Sequence, residues 1–109
     1  LKWVLYQGWY LGMDRYPGRF VSPHMRTVTL KALIDDGYAE HLCPSHDCIC
    51  LAVLKQREDG SMPDHPFSNP HHFLYMKHEV IPELQEMGVS DAIIDTLFID
   101  NPRRFLSGE

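Results

Sequence analysis

The sequence has no excess of basic residues and no long hydrophobic run. Asp and Glu outnumber Lys and Arg by 15 to 10, which gives a formal net charge of −5. Because a phosphate backbone is bound by clustered positive charge, we expect no nucleic-acid partner. Asp, Lys, Pro or Gly interrupts every apolar stretch before the roughly 18 residues that a membrane span needs, so we also expect no membrane partner.

Cysteine is scarce. The three cysteines, Cys43, Cys48 and Cys50, lie within eight positions. Their odd number argues against a disulfide framework and for a reducing compartment, so we expect a cytoplasmic protein. Together with His46 they could form a small zinc module, although structural zinc usually takes paired knuckles with a distant second pair. The alternative is that Cys43 is buried in a strand and the other two pack at the start of a loop.

The remaining composition is that of an ordinary globular chain. Apolar residues make up 44% and charged residues 23% of the 109 residues, which argues against general disorder. The chain begins at Leu1, without the charged region and cleavage site of a signal peptide, so we expect further sequence upstream.

Apolar periodicity predicts helices that alternate with strands. In chain order we expect a helix end at Leu1–Gln7, a strand at Trp9–Met13, a helix from Ser22 to Asp36, a strand at His41–Ser45, a loop at Lys55–Pro70, a helix from Phe73 to Met87 and a short helix from Ser90 to Phe98. This alternation implies an α/β fold with a parallel sheet and right-handed crossovers. Two strands cannot close a sheet alone, so we expect a fragment of a larger architecture.

Several residues are expected to line or to end these helices. Pro82 should kink or divide its helix, and Asn101 with Pro102 should stop the last helix before Arg103 to Leu106. The residues expected on the buried face of the second helix are Met25, Val28, Ala32 and Leu33. The aromatic residues expected in the core, rather than as ligand stackers, are Trp3, Trp9, Phe73 and Phe98.

Both predicted strands are followed by charged residues. Asp14 and Arg15 follow the first strand, and His46 and Asp47 follow the second. The C-terminal ends of parallel strands face the active site in α/β folds, so these side chains should share one pocket. The alternative is that Asp14 and Asp47 are turn or cap residues, and that Arg15 forms a structural ion pair with Asp14 or with a neighbouring strand.

Five segments, in this order and spacing, resemble the phosphotriesterase family. They are GMDRYPGRF, LKALIDDGYAEHL, CPSHD, HEVIPELQEMGVS and NPRRFL, and they span essentially the whole chain. The resemblance implies that residues 1–109 are the C-terminal portion of a single phosphotriesterase-like domain, a TIM (β/α)₈ barrel. The chain would then comprise about strands seven and eight with their helices.

The resemblance also implies a metal-dependent hydrolase. Members of the family hold two divalent metals at the C-terminal mouth of the barrel, and a metal-bridging hydroxide attacks an ester, lactone or phosphotriester. Zn is the first expectation, with Fe, Co or Mn as alternatives. Asp47 would ligate one metal and accept the proton of the nucleophile, Arg15 would contact the substrate, and Asp14 would support Arg15. The histidine ligands of earlier strands are not matched, so the 109 residues alone should be inactive.

The expected substrate is a small-molecule ester or lactone. A lactone is preferred, because DRY followed by a loop and by SHD with cysteines resembles the lactonase branch. The alternatives are an N-acyl amino acid amidase of the same superfamily, or a non-catalytic remnant that serves as an interaction module. The segment Ile49–His72 is expected to form a substrate-facing lid. The resemblance further suggests a homodimer when full length.

Overall fold

The structure contains a pair of short parallel strands surrounded by helices. The computed structural model describes residues 1–16, 20–47, 58–59 and 72–108. The bounds of its elements, in chain order, are α1 Lys2–Tyr6, β1 Leu11–Met13, α2 Pro23–Asp35, a 3₁₀ turn Ala39–His41, β2 Leu42–Pro44, a 3₁₀ turn His72–Leu74, a π turn Met76–Val80, α3 Ile81–Glu86, α4 Asp91–Asp95, a π turn Thr96–Asp100 and α5 Asn101–Ser107. The described part of the chain is therefore rich in helix, with two short strands.

The register of the two strands brings their C-terminal ends together. β1 and β2 are parallel, with Leu11 opposite Leu42 and Gly12 opposite Cys43. The pairing continues past β2, because the Ser45 N–H donates to the Met13 carbonyl at 3.0 Å and the Tyr16 N–H donates to the Ser45 carbonyl at 3.5 Å. The predicted strands and their parallel direction are confirmed, although both strands are shorter than expected.

Helix α2 begins where the sequence predicts but buries a different face. The Ser22 side chain accepts a hydrogen bond from the Met25 N–H, and proline occupies the first turn. The prediction that Met25, Val28 and Ala32 line a buried face is wrong, because all three are exposed, Met25 at 52%. The face that packs on the core carries Thr27, Leu30, Leu33 and Ile34. Leu33 alone was placed correctly.

Two prolines lie at the second position after a π turn. The Ile81 N–H donates to the Met76 carbonyl ahead of Pro82, and the Asn101 N–H donates to the Thr96 carbonyl ahead of Pro102. The prediction that Pro82 kinks or divides its helix is not confirmed as a division, because the backbone stays helical at Val80 and Ile81 and α3 continues to Glu86. The prediction that Asn101 and Pro102 stop the last helix is wrong, because α5 continues to Ser107. In the wider π turn, the carbonyl that would clash with the proline ring is displaced. The proline is also not required to donate a backbone hydrogen bond there.

The core lies between the helices and one face of the sheet. Its fully buried members include Leu30, Leu42, Leu84 and Leu97. Phe98 packs against this cluster. The expectation of a core position is wrong for the other aromatic residues, because Trp3 is 67%, Trp9 57% and Phe73 59% exposed. Trp3 and Trp9 instead pack edge to face on each other, with ring centroids 5.9 Å apart.

Two expectations concern parts of the chain that are wholly or largely outside the described residues. The proposed lid, Ile49–His72, and the loop Lys55–Pro70 within it are described only at residues 58, 59 and 72. Among the helices that the structure describes, none is long and apolar enough to cross a membrane.

Candidate functional site

Arg15 and Asp47 lie side by side just beyond the C-terminal ends of the two strands. Asp47 Oδ2 is 3.6 Å from Arg15 Nε, and both side chains are more than half exposed. Both residues also have left-handed backbone, with φ of 65° at Arg15 and 48° at Asp47. The parallel pairing explains the proximity, because it places the residue after each strand at the same edge of the sheet.

The arrangement of this pair is unusual for a surface ion pair. Left-handed backbone at a residue other than glycine costs of order 1–3 kcal/mol. An ion pair as exposed as this one contributes only about 0–1 kcal/mol to stability. The contact therefore does not offset the backbone strain at Arg15 and Asp47. Strained residues of this kind cluster at functional sites, which favours a role for the pair beyond stability.

Asp14 is held through its backbone. Its carbonyl accepts a hydrogen bond of 3.1 Å from Arg26 Nη1, while its side chain is exposed. The ion pair of Arg15 is with Asp47 on the neighbouring strand and not with Asp14. The structural alternative in which Arg15 forms an ion pair with a neighbouring strand is therefore observed. The expected support of Arg15 by the Asp14 carboxylate is not observed.

Tyr16 anchors the residue next to Arg15. Its side chain is 1% exposed and packs on Tyr75, with ring centroids 6.5 Å apart. Burial is the main reason that the pKa of Tyr16 is raised to about 12; the neighbouring Thr27 side chain opposes the rise and the negative charge of Glu83 adds to it. Tyr16 is thus a neutral anchor at all physiological pH values.

His46 occupies a different environment from Asp47. Its imidazole ring packs edge to face on Phe73, with ring centroids 5.5 Å apart. Phe73 lies in the short turn ahead of α3. His46 therefore contacts the helical layer, while the adjacent Asp47 carboxylate contacts Arg15 on the other strand.

The described residues offer a metal one carboxylate rather than a complete site. No three His, Cys, Asp or Glu side chains come together in the ranges that the structure describes. The exposed Asp47 carboxylate suits a divalent cation, but three or more further ligands are needed. At Cys43, burial raises the pKa of the thiol, which disfavours the thiolate that binds zinc. Cys48 and Cys50 of the possible zinc module lie outside the described residues.

The sequence profile of the phosphotriesterase family matches residues 1–106, almost the whole chain. The chain belongs to this family. A relative named phosphotriesterase homology protein, from Mycobacterium tuberculosis, is 34% identical over 107 residues, which are 95% of this chain and 31% of that protein. A second relative, the aryldialkylphosphatase of Saccharolobus solfataricus, is 29% identical over 98% of this chain and 34% of its own length.

The fold agrees with that of a solved family member. The phosphotriesterase from Mycobacterium tuberculosis matches 94% of this chain with a TM-score of 0.74 and 32% identity, over 31% of its own chain. The solved structures that the chain resembles are TIM-barrel enzymes of the phosphotriesterase family, and it corresponds to a C-terminal part of the barrel. This phosphotriesterase-family chain therefore spans about a third of the length of the relatives that it matches.

Sequence reasoning gave no functional or structural role to Arg26, beside the site, or to the buried side chain of Asn101, beside the start of β2. Asn101 was expected only to stop a helix. Asn101 is fully buried and hydrogen-bonds the carbonyls of Ala39 and Leu42, both at 2.7 Å. A usable signal existed for Asn101, because Ile94, Leu97 and Asn101 share one helical face at i, i+3 and i+7. Arg26 had no comparable signal in a single sequence.

Proposed function

We propose that this chain supplies strands seven and eight of a phosphotriesterase-like barrel that hydrolyses a small-molecule ester, with a lactone as the preferred substrate. β1 would be strand seven and β2 strand eight. One observation carries the proposal: Arg15 and Asp47, a cation and a carboxylate, meet on strained backbone where two parallel strands end. This edge is where the catalytic residues of TIM barrels lie.

Asp47 has the exposure and the position that a catalytic carboxylate needs. Its side chain is 55% exposed and so can reach a bound substrate or cation. Two divalent metals, with Zn as the first choice, would supply hydroxide near neutral pH when bound. Asp47 would hold one of them through a carboxylate oxygen, and the other ligands would come from residues beyond the described ranges. The same carboxylate can accept a proton as a general base.

Arg15 would bind the substrate. Its guanidinium is 62% exposed and carries several N–H donors, of which Nε faces Asp47. A fixed cation beside the ester can orient its carbonyl or phosphoryl oxygen and stabilise the negative charge that develops there. Asp14, one residue earlier, would contribute through its backbone, because Arg26 holds the Asp14 carbonyl.

The test compares two adjacent residues in the intact enzyme. Asp47→Asn keeps the shape of the side chain and removes its charge, so kcat should fall by roughly 10²–10⁴-fold, the loss typical of removing a general base. His46→Asn is the matched control and should cost much less, because the His46 ring packs on Phe73. Both variants are assayed for kcat/KM and metal content at saturating metal. Wild-type activity in Asp47→Asn would refute this placement of the chemistry.

A substrate panel tests the preference for a lactone. The purified enzyme would be assayed with a lactone, a carboxylic ester, a phosphotriester and an N-acyl amino acid, and the values of kcat/KM compared. The highest value for the lactone supports the proposal, and the highest value for the N-acyl amino acid would replace it with the amidase alternative. Light scattering of the same sample tests the proposed homodimer.

A further inference from the structure

We propose that Arg26 is a positioning residue that fixes the orientation of Arg15, and so determines how well the enzyme recognises its substrate. The inference rests on the proposed function, because it assumes that Arg15 contacts substrate. It concerns a residue of α2 that lies behind the strand-end pair. Arg26 acts through the backbone on both sides of the connection from β1 to α2.

Arg26 bridges the two ends of that connection. Its Nη1 donates to the Asp14 carbonyl at 3.1 Å, and its Nε donates to the Val21 carbonyl at 3.4 Å. Asp14 directly precedes Arg15, and Val21 precedes the N-cap of α2. One guanidinium therefore ties the residue before Arg15 to the start of the helix.

The other neighbour of Arg15 is held independently. Tyr16 is buried, its ring packs on Tyr75, and its N–H donates to the Ser45 carbonyl. Arg15 thus lies between two fixed peptide units, one held by Arg26 and the other by the core. Since its own backbone is left-handed, with φ of 65°, these flanking restraints are what keep its side chain directed at Asp47.

The chemistry of Arg26 fits this task and not that of an ion-pair partner. Both of its side-chain hydrogen bonds are to carbonyl oxygens, and within the described ranges no carboxylate pairs with it. Only a planar guanidinium presents donors in a fixed fork that can reach two separate carbonyls, because a lysine ammonium is a point charge on a flexible stem. Lysine at this position would keep the charge and lose the bridge.

Removal of Arg26 should release Arg15 rather than unfold the protein. A cavity of about 260 Å³ borders Arg26 and is also lined by Asp14, Tyr16 and Val21. The peptide units that Arg26 holds therefore have open space to move into. The structure predicts a local loss of orientation at Arg15, with the helix and the core retained.

The experiment is a double-mutant cycle in the intact enzyme with Arg26→Ala, Arg15→Ala and the double variant. Arg26→Ala should lower kcat/KM by roughly tenfold, mainly through a higher KM, as expected for coupled neighbours. In the Arg15→Ala background the same change should have little further effect. Arg26→Lys should resemble Arg26→Ala. Arg103→Ala is the matched control, because Arg103 forms an exposed ion pair with Asp100 and should be silent.

A second readout does not depend on activity. Hydrogen exchange of the Ser45 amide, which donates to the carbonyl of Met13 directly before Asp14, should be faster in Arg26→Ala than in wild type or in Arg103→Ala. Faster exchange in an enzyme inactive on every substrate would support the role of Arg26 in holding Arg15 and refute only the proposed function. Equal exchange would overturn the inference, with or without activity. Multiplicative effects of the two substitutions on kcat/KM would also overturn it, since Arg26 would then not act through Arg15.

Discussion

Asn101 provides a sharp test of what connects the last helix to the strand that precedes Asp47. Its Nδ2 donates to the carbonyls of Ala39 and Leu42, and its Oδ1 accepts a hydrogen bond of 2.8 Å from Arg104 Nη2. The residue is fully buried, so water cannot replace these hydrogen bonds. Asn101→Ala would leave the buried Leu42 carbonyl without this donor, whereas the Ala39 carbonyl would keep its bond from the Leu42 N–H.

The expected cost follows mainly from the Leu42 carbonyl. An unsatisfied buried polar group costs about 1–3 kcal/mol, so Asn101→Ala should lower the free energy of unfolding by roughly that amount. Asn101→Asp is nearly isosteric but places a carboxylate oxygen against two carbonyl oxygens, and it should cost more than alanine at neutral pH. This order separates the hydrogen bonds from simple loss of volume.

The assay is urea unfolding followed by circular dichroism, with Asp100→Ala as the neighbouring control. Asp100 forms an exposed ion pair with Arg103 at 3.2 Å, which contributes about 0–1 kcal/mol. If Asn101→Ala shifts the urea midpoint no more than Asp100→Ala does, the bond network of Asn101 does not stabilise the fold. If Asn101→Asp is milder than alanine, the assignment of its amide nitrogen to the two carbonyls is wrong.

Two further predictions concern pH and the isolated chain. Because burial raises the pKa of Tyr16 from 10.0 to about 12, its contribution is complete below pH 10 and is lost as the pH rises towards 12. Wild type should lose about 2–3 kcal/mol over this range. Tyr16→Phe should lack that decline in alkaline unfolding curves, and equal slopes would contradict the burial effect. The isolated 109-residue chain should bind divalent metal weakly and show no lactonase activity, because Asp47 is its only expected ligand; turnover with stoichiometric metal would contradict this.

Local signals in the sequence were sufficient for the start of α2 and for the ends of two helices. Ser22 with Pro23 marks the start of α2, and the Ser22 side chain caps it as expected. Gly37 and Gly88 follow the ends of their helices with φ of 89° and 85°, values that glycine adopts without strain. The two strands were also found, because short apolar runs bounded by polar residues depend little on distant contacts.

Which face of a helix is buried could not be predicted in the same way. Met25 and Val28 are as apolar as the residues that α2 buries, yet the face carrying Leu30 and Ile34 contacts the core. That choice depends on which elements pack against the helix, and a single sequence does not contain this information. The charged residues after each strand were located from the sequence, but their left-handed backbone was not, since arginine has no preference for it and aspartate adopts it at only a small fraction of its positions.

The missed continuation of the last helix has a similar cause. A proline in a helical pattern normally predicts an end, and the π turn that accommodates Pro102 leaves no mark in residue type. The buried face from Ile94 through Leu97 to Asn101 continued past the supposed stop. A polar residue on an apolar helical face was therefore the better indicator, because its burial requires hydrogen-bond partners such as Ala39.

The two π turns make the length of these helices inseparable from their prolines. A π turn holds one residue more than a turn of α-helix, so deleting one residue from Thr96–Asp100 would leave an ordinary α turn in its place. The ring of Pro102 would meet the carbonyl one turn earlier. Protein engineers who redesign this segment must therefore change residue number and proline content together, and a graft from a homologue must carry both.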